Sequence, residues 1–195
     1  MNDQSFGVIS AQERSFGLVA LLDAHSEATI RSLWRGLELE KITDSLPSIV
    51  CAQPHITLGM FSRLTSQLRS QFSGLAASHL PFGVRFSSVG VFPNREGSTV
   101  FLTPVVTEKL LALQKDLRLL LQSEDTELHE FYQEGNWQPH SSLGFGLSHS
   151  LAAQALEFSL GLDLPIKGQV QAIGLIEMIK QGPYVISGCE LERWA

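Results

Sequence analysis

The chain has 195 residues, of which 44% are hydrophobic and 17% are charged, and its formal net charge is −6. This composition supplies enough material for one sizeable core and excludes an intrinsically disordered chain. The acidic balance excludes a broad basic surface for long nucleic acid, although a local site for a small anion needs only a few donors.

Sequence features also predict the compartment. The apolar runs are far shorter than the roughly 20 residues that span a bilayer, and the N-terminal residues lack the apolar region of a signal peptide. We therefore expect a cytoplasmic protein with no membrane partner. Cys51 and Cys189 are the two cysteines, and in that compartment we expect them to be reduced, buried thiols.

Hydrophobic periodicity predicts strands and helices in alternation. The first half has predicted strands over 16–22, 47–61 and 81–92, a helix that begins at Ser26 and another over 64–77, and a turn at 93–97. The second half has predicted strands over 99–103, 137–147, 165–179 and 184–194, helices over 107–121 and 150–160, an acidic connector over 124–134, and a turn at Gly182 and Pro183. A core-facing stripe is expected on the helix over 107–121, formed by Leu110, Leu111, Leu113, Leu117 and Leu120.

This order predicts an α+β fold. We expect two similar lobes of antiparallel sheet with helices packed outside, related by a pseudo-twofold axis, with a central groove between the lobes. Because no long linker interrupts the pattern, we expect a single bilobal domain over 1–195, with lobe one at about 15–97 and lobe two at about 98–195. We also expect the protein to be a monomer.

A short repeat links the two halves. Residues 53–59 have the sequence QPHITLG and residues 138–144 have the sequence QPHSSLG, each in the middle strand of its half. Five of the seven positions are identical, and a sixth exchanges the hydroxyl of Thr57 for that of Ser142. Since side chains alternate along a strand, His55 and Thr57 should share one face, as should His140 and Ser142. If the lobes oppose each other, the groove contains two imidazoles and two hydroxyls.

This set of groups suits a phosphodiester. Displacement at phosphorus needs a base for the attacking oxygen and an acid for the leaving oxygen, and a histidine pair, His55 and His140, can supply both near neutral pH. Thr57 and Ser142 can donate hydrogen bonds to the non-bridging phosphate oxygens. No cofactor or metal is required, since a protonated imidazole supplies positive charge. Which histidine is the base depends on how the substrate lies in the groove.

The paired motifs resemble those of the two-histidine (2H) phosphoesterase superfamily, which includes the 2′-5′ RNA ligase-like proteins and cyclic nucleotide phosphodiesterases. Its motif is His-hydrophobic-Thr/Ser-hydrophobic, once in each lobe of a duplicated α+β fold. Residues 55–58 match in full, whereas residues 140–143 depart at Ser141, which should face the core. The resemblance covers about residues 16–194. It implies opening of a 2′,3′-cyclic phosphate, or cleavage or joining of a 2′-5′ RNA linkage, on a small nucleotide or an RNA end.

Other uses of these residues remain open. RNA ligation is the reverse of cleavage at the same site, and a non-catalytic module could bind a nucleotide or an RNA end in the same groove. A metal site is disfavoured because neither motif has a neighbouring carboxylate or cysteine ligand set. Three aromatic residues near strand ends could stack a base, although packing is their commoner role: Phe92, Tyr132 and Trp137. The remaining histidines are expected to have ordinary surface or capping roles: His25, His79, His129 and His149.

Overall fold

The computed structural model describes residues 12–181 and 184–195. In chain order its elements are β1 (Gln12–Leu22), α1 (Ala24–Leu39), β2 (His55–Phe61), α2 (Ser66–His79), β3 (Phe82–Phe92), β4 (Ser98–Pro104), α3 (Glu108–Ser123), β5 (Ser141–Leu147), α4 (His149–Ser159), β6 (Ile166–Gln181) and β7 (Tyr184–Trp194). A short 3-10 turn covers Glu130–Tyr132 in the acidic connector.

The strands form one antiparallel sheet in the order β2-β1-β6-β3-β4-β5, and β7 pairs with β6 beside this path. The 16-residue strand β6 connects the two parts of the sheet. Its first residues pair with β3, and the remainder pairs with β1 on one side and with β7 on the other. The expected α+β fold, with two lobes of antiparallel sheet, is therefore confirmed. The division near residue 97 stays a prediction, and the β3–β4 pairing runs across it.

Every predicted helix and strand is present, but two strands start later than expected. β2 begins at His55 and β5 at Ser141, whereas the sequence patterns predicted starts at residues 47 and 137. Proline explains both differences, because Pro54 and Pro139 have no N–H group to donate to a ladder. Each motif histidine consequently lies at the entry to its strand. The turn predicted at Gly182 and Pro183 lies outside the described residues.

The helices bury one face each and begin at side-chain caps. Asp23 caps α1, and hydroxyl groups cap the other three helices: Thr65, Thr107 and Ser148. On α3 the predicted stripe is largely correct, because Leu110, Leu113 and Leu117 are fully buried, but Leu111 is half exposed. Among the described residues, no helix is long and apolar enough to cross a membrane.

Cys51 and Cys189 form a disulfide, with their Cα atoms 4.9 Å apart. The prediction of reduced, buried thiols is therefore wrong, and Cys51 is exposed. β7 brings the two cysteines together, since the N–H of Gly188 donates to the carbonyl of Val50 at 3.2 Å. The bond ties the segment just before the first motif to β7, across a sequence separation of 138 residues.

Candidate active site

The two motifs lie on β2 and β5, the strands at the two ends of the sheet path. Both motifs have the same alternation of burial: the proline is buried, the histidine half-buried, the next residue buried, the hydroxyl residue half-buried and the leucine buried. The predicted division of each strand into a groove face and a core face is correct. His55, Thr57, His140 and Ser142 all line one groove, which has a volume of about 1010 Å³.

Each imidazole is held by the backbone of its own motif. Nδ1 of His55 lies 2.7 Å from the carbonyl oxygen of Gln53, and Nδ1 of His140 lies 2.8 Å from that of Gln138. Because a carbonyl oxygen only accepts hydrogen bonds, Nδ1 must be the donor in both rings. Nε2 is then the nitrogen that can gain or lose a proton in either ring, so the two histidines have equivalent tautomers.

The surroundings of the two rings favour their neutral forms. Burial lowers the pKa of His55, and the nearby charge of His140 lowers it further, while the bond to Gln53 acts in the opposite direction. Burial also lowers the pKa of His140, partly offset by its bond to Gln138. Two positive charges in one groove repel each other, so a state with one cationic and one neutral imidazole is easier to reach than a doubly charged state.

Two tryptophans bind the backbone beside the groove hydroxyls. Nε1 of Trp137 donates to the carbonyl oxygen of Thr57 at 2.9 Å, and Nε1 of Trp34 donates to that of Ser142 at 2.9 Å. Tyr132 approaches from the 3-10 turn; burial raises its pKa to about 12, although a hydrogen bond with the Thr57 side chain acts to lower it. The Tyr132 phenol is therefore neutral at physiological pH.

His140 also packs against aromatic rings. The ring centroids of Phe92 and Phe101 lie 4.9 and 5.0 Å from that of His140. Gly90 makes room for this packing, because a Cβ atom there would come within 2.6 Å of the Phe101 ring. This contact restricts the orientation of the imidazole in addition to its backbone hydrogen bond.

Gln53 of the first motif makes polar side-chain contacts that have no counterpart at the second motif among the described residues. The side-chain amide of Gln53 donates to Glu190 at 2.9 Å and accepts from Arg193 at 3.2 Å. Arg193 and Glu190 form an ion pair, and hydrogen bonds from Arg193 and Gln53 overcome the effect of burial to lower the pKa of Glu190. Gln138 in the second motif is exposed instead. The repeated glutamines therefore have different surroundings, which the repeat itself does not indicate.

The remaining motif positions serve packing. The glycines that end the motifs pack against side chains, since a Cβ atom would lie 2.8 Å from Leu128 at Gly59 and 2.7 Å from Thr43 at Gly144. Ser141 faces the core as predicted and is 1% exposed, and its hydroxyl has no hydrogen-bond partner within the described structure.

The four remaining histidines lie outside the two motifs. His25 and His149 lie exposed in the first turns of α1 and α4, and His79 pairs with Asp116 at 2.9 Å. His129, for which the sequence predicts an ordinary surface or capping role, lines the groove beside Phe131, which is 66% exposed. Among the described residues, no group of three or more metal-ligating side chains is present.

Known proteins share this fold. A family model described as the 2′-5′ RNA ligase superfamily matches residues 23–182. LigT of E. coli in its apo form is 16% identical with a TM-score of 0.61, covering 95% of this chain and 98% of its own. TT0787 of Thermus thermophilus is 15% identical with a TM-score of 0.55, covering 92% and 96%. None of the curated protein sequences matches this chain.

The antiparallel two-lobed fold and the paired histidine motifs together are those of the two-histidine phosphoesterase superfamily. Within that class, the chain belongs to the 2′-5′ RNA ligase superfamily. At 16% identity, the likeness to LigT shows the fold alone. LigT has also been crystallised with 3′-AMP, in a structure with a TM-score of 0.60 to this one.

Proposed function

We propose that this protein is a metal-independent phosphoesterase that hydrolyses cyclic or 2′-5′ phosphodiester bonds of nucleotides or RNA ends, with His55 and His140 as its acid–base pair. The observation that carries the proposal is that the two imidazoles have the same hydrogen-bond arrangement and therefore the same tautomer. Each donates through Nδ1 to a carbonyl two residues earlier, so each can exchange a proton through Nε2 in the same groove.

The proposed reaction is a displacement at phosphorus. The neutral imidazole accepts a proton from water at Nε2 as the water oxygen attacks phosphorus, and the cationic imidazole donates its Nε2 proton to the oxygen that leaves. For a 2′,3′-cyclic phosphate the product is a phosphate monoester with one free ribose hydroxyl. Thr57 and Ser142 donate to the non-bridging oxygens, where negative charge develops. The substrate's orientation decides which histidine is the base.

A small substrate agrees with the size and charge of the molecule. The groove volume of about 1010 Å³ accommodates a nucleotide or a short RNA end, and the net charge of −6 disfavours long RNA. The structure of LigT with 3′-AMP shows a mononucleotide bound to a protein of this fold. A monomeric state and a cytoplasmic location remain predictions.

RNA ligation is a second candidate, favoured by the family's description as 2′-5′ RNA ligases. Ligation would use the same acid–base pair, with a ribose hydroxyl of a second RNA end in place of water as the oxygen that attacks a 2′,3′-cyclic phosphate. The two activities would share a site and differ in the attacking oxygen.

The proposal is tested with a panel of nucleoside 2′,3′-cyclic phosphates, 2′-5′ dinucleotides and ADP-ribose cyclic phosphate, assayed with EDTA present. We expect turnover of at least one phosphodiester in the chelator. Joining of RNA ends under the same conditions would favour the ligase instead. Binding of a cyclic phosphate without turnover at any pH would make the protein a nucleotide-binding module, and activity that EDTA abolishes would contradict the metal-independent mechanism.

A further inference from the structure

Two tryptophan hydrogen bonds connect the first and second halves of the chain beside the groove. Trp34 lies on α1 in the first half and donates to Ser142 in the second motif. Trp137 lies in the second half, just before β5, and donates to Thr57 in the first motif. The bonds are therefore reciprocal, and both measure 2.9 Å. They join residues separated by 108 and 80 positions in the sequence.

These bonds lie where the sheet leaves the two motifs without a common strand partner. β2 and β5 occupy opposite ends of the sheet path, with β1 and β4 as their respective neighbours. No pairing between β2 and β5 occurs in the described part of the chain. The two indoles provide hydrogen bonds that run directly from one half to the other half's motif.

Both indoles are suited to hold a fixed distance. Trp34 is 4% exposed, and the guanidinium of Arg31 lies 5.7 Å from its ring centroid. Trp137 is partly buried and packs against the core. An indole has a single N–H donor on a rigid ring, so its bond fixes both the distance and the direction of the acceptor. The acceptor carbonyls belong to Thr57 and Ser142, whose side chains line the groove.

We infer that Trp34 and Trp137 are positioning residues, which set the separation of the two motifs and thereby hold the groove hydroxyls and imidazoles in register with one phosphate. The inference rests on the proposed function for its effect on turnover. It adds two residues, outside the motifs, whose role would be exerted through Thr57 and Ser142.

The variants Trp34→Phe and Trp137→Phe test it, because phenylalanine keeps an aromatic ring and removes the N–H donor. We expect each to lower kcat about tenfold, as for one lost hydrogen bond that acts in the transition state, while KM changes less than about twofold. Trp194→Phe is the matched control. Trp194 packs edge-on against Phe72, and its substitution should leave both constants within about twofold.

A double-mutant comparison separates positioning from general destabilisation. If the two indoles hold one spacing, the kcat of the double variant Trp34→Phe/Trp137→Phe should depart from the product of the two single losses, whereas Trp194→Phe combined with either should multiply simply. Independent, multiplicative losses at Trp34 and Trp137 would overturn the inference, as would wild-type kcat in both tryptophan variants.

A measurement without turnover distinguishes failure of the inference from failure of the proposed function. NMR titration of the imidazole signals gives the pKa of His55 in each variant. If the indole bonds hold the motifs together, their loss should increase the distance between His140 and His55. The repulsion that lowers the pKa of His55 then weakens, so this pKa should rise in the two tryptophan variants and stay unchanged in Trp194→Phe. This result in an inactive wild-type protein would contradict the proposed function alone. An unchanged His55 pKa in both tryptophan variants would overturn the inference, whatever the activity.

Discussion

Replacement of Ser141 by alanine should stabilise the protein. The Ser141 side chain is 1% exposed, and its hydroxyl lacks a hydrogen-bond partner in the described structure. An unsatisfied buried polar group costs about 1–3 kcal/mol. Removal of the hydroxyl also loses a few packing contacts, so we expect a net gain of about 1 kcal/mol in the free energy of unfolding. For a chain of this size that corresponds to a rise in Tm of about 2–4 °C.

Urea denaturation followed by circular dichroism measures this change, and Ser26→Ala provides the matched control. Ser26 is also fully buried, but its hydroxyl donates to the carboxylate of Asp23 at 3.0 Å. The same truncation should therefore destabilise the protein at residue 26 and stabilise it at residue 141. A Ser141→Ala protein less stable than wild type would refute the reasoning, because the hydroxyl would then have to make a favourable interaction.

Three further predictions concern the disulfide, the pH profile and the groove hydroxyls. The double substitution Cys51→Ser and Cys189→Ser removes the disulfide and should lower the free energy of unfolding by about 2–5 kcal/mol, because the unfolded chain gains conformational entropy without the cross-link. Urea denaturation that gives the same free energy of unfolding as wild type would contradict this. Burial lowers the pKa of both His55 and His140, and the catalytic acid must keep its proton. The plot of kcat/KM against pH should therefore be bell-shaped, with activity falling from below about pH 6.5 as the acid loses its proton. A plateau that extends to pH 8 would exclude this pair of histidines as the acid and base. Thr57→Ala and Ser142→Ala each remove one hydrogen bond to the phosphate, so each should lower kcat less than substitution of either histidine does. Steady-state kinetics measure this difference. A loss as large as that of a histidine variant would contradict a role limited to one phosphate hydrogen bond.

The order of helices and strands could be predicted because the spacing of hydrophobic residues within each segment indicates both its secondary structure and its buried face. The stripe on α3 is such a local pattern, and Leu110, Leu113 and Leu117 match it, although Leu111 is half exposed. The starts of β2 and β5 were less predictable. Hydrophobic residues before them suggested longer strands, whereas the prolines at positions 54 and 139 prevent earlier pairing.

The candidate site could be predicted only where it repeats. The duplicated motif identifies His55 and His140 because both copies are visible along the chain. The residues around them are brought together by the sheet and have no local signal. Trp34 has the pattern of a core residue of α1, and nothing in that pattern indicates that its N–H reaches residue 142. The ion pair on β7 that binds Gln53 and the disulfide at residues 51 and 189 are likewise products of the way β7 passes the first motif.

The most direct test of the paired-histidine mechanism compares hydrolysis of a nucleoside 2′,3′-cyclic phosphate by the wild type, His55→Gln, His140→Gln and the double variant, with EDTA present. His25→Gln is the control, because His25 is exposed on α1. We predict that each single substitution lowers kcat about 100-fold or more, that the double variant is little worse than either, and that the control is unaffected. Turnover close to wild type in either His55→Gln or His140→Gln would contradict the mechanism.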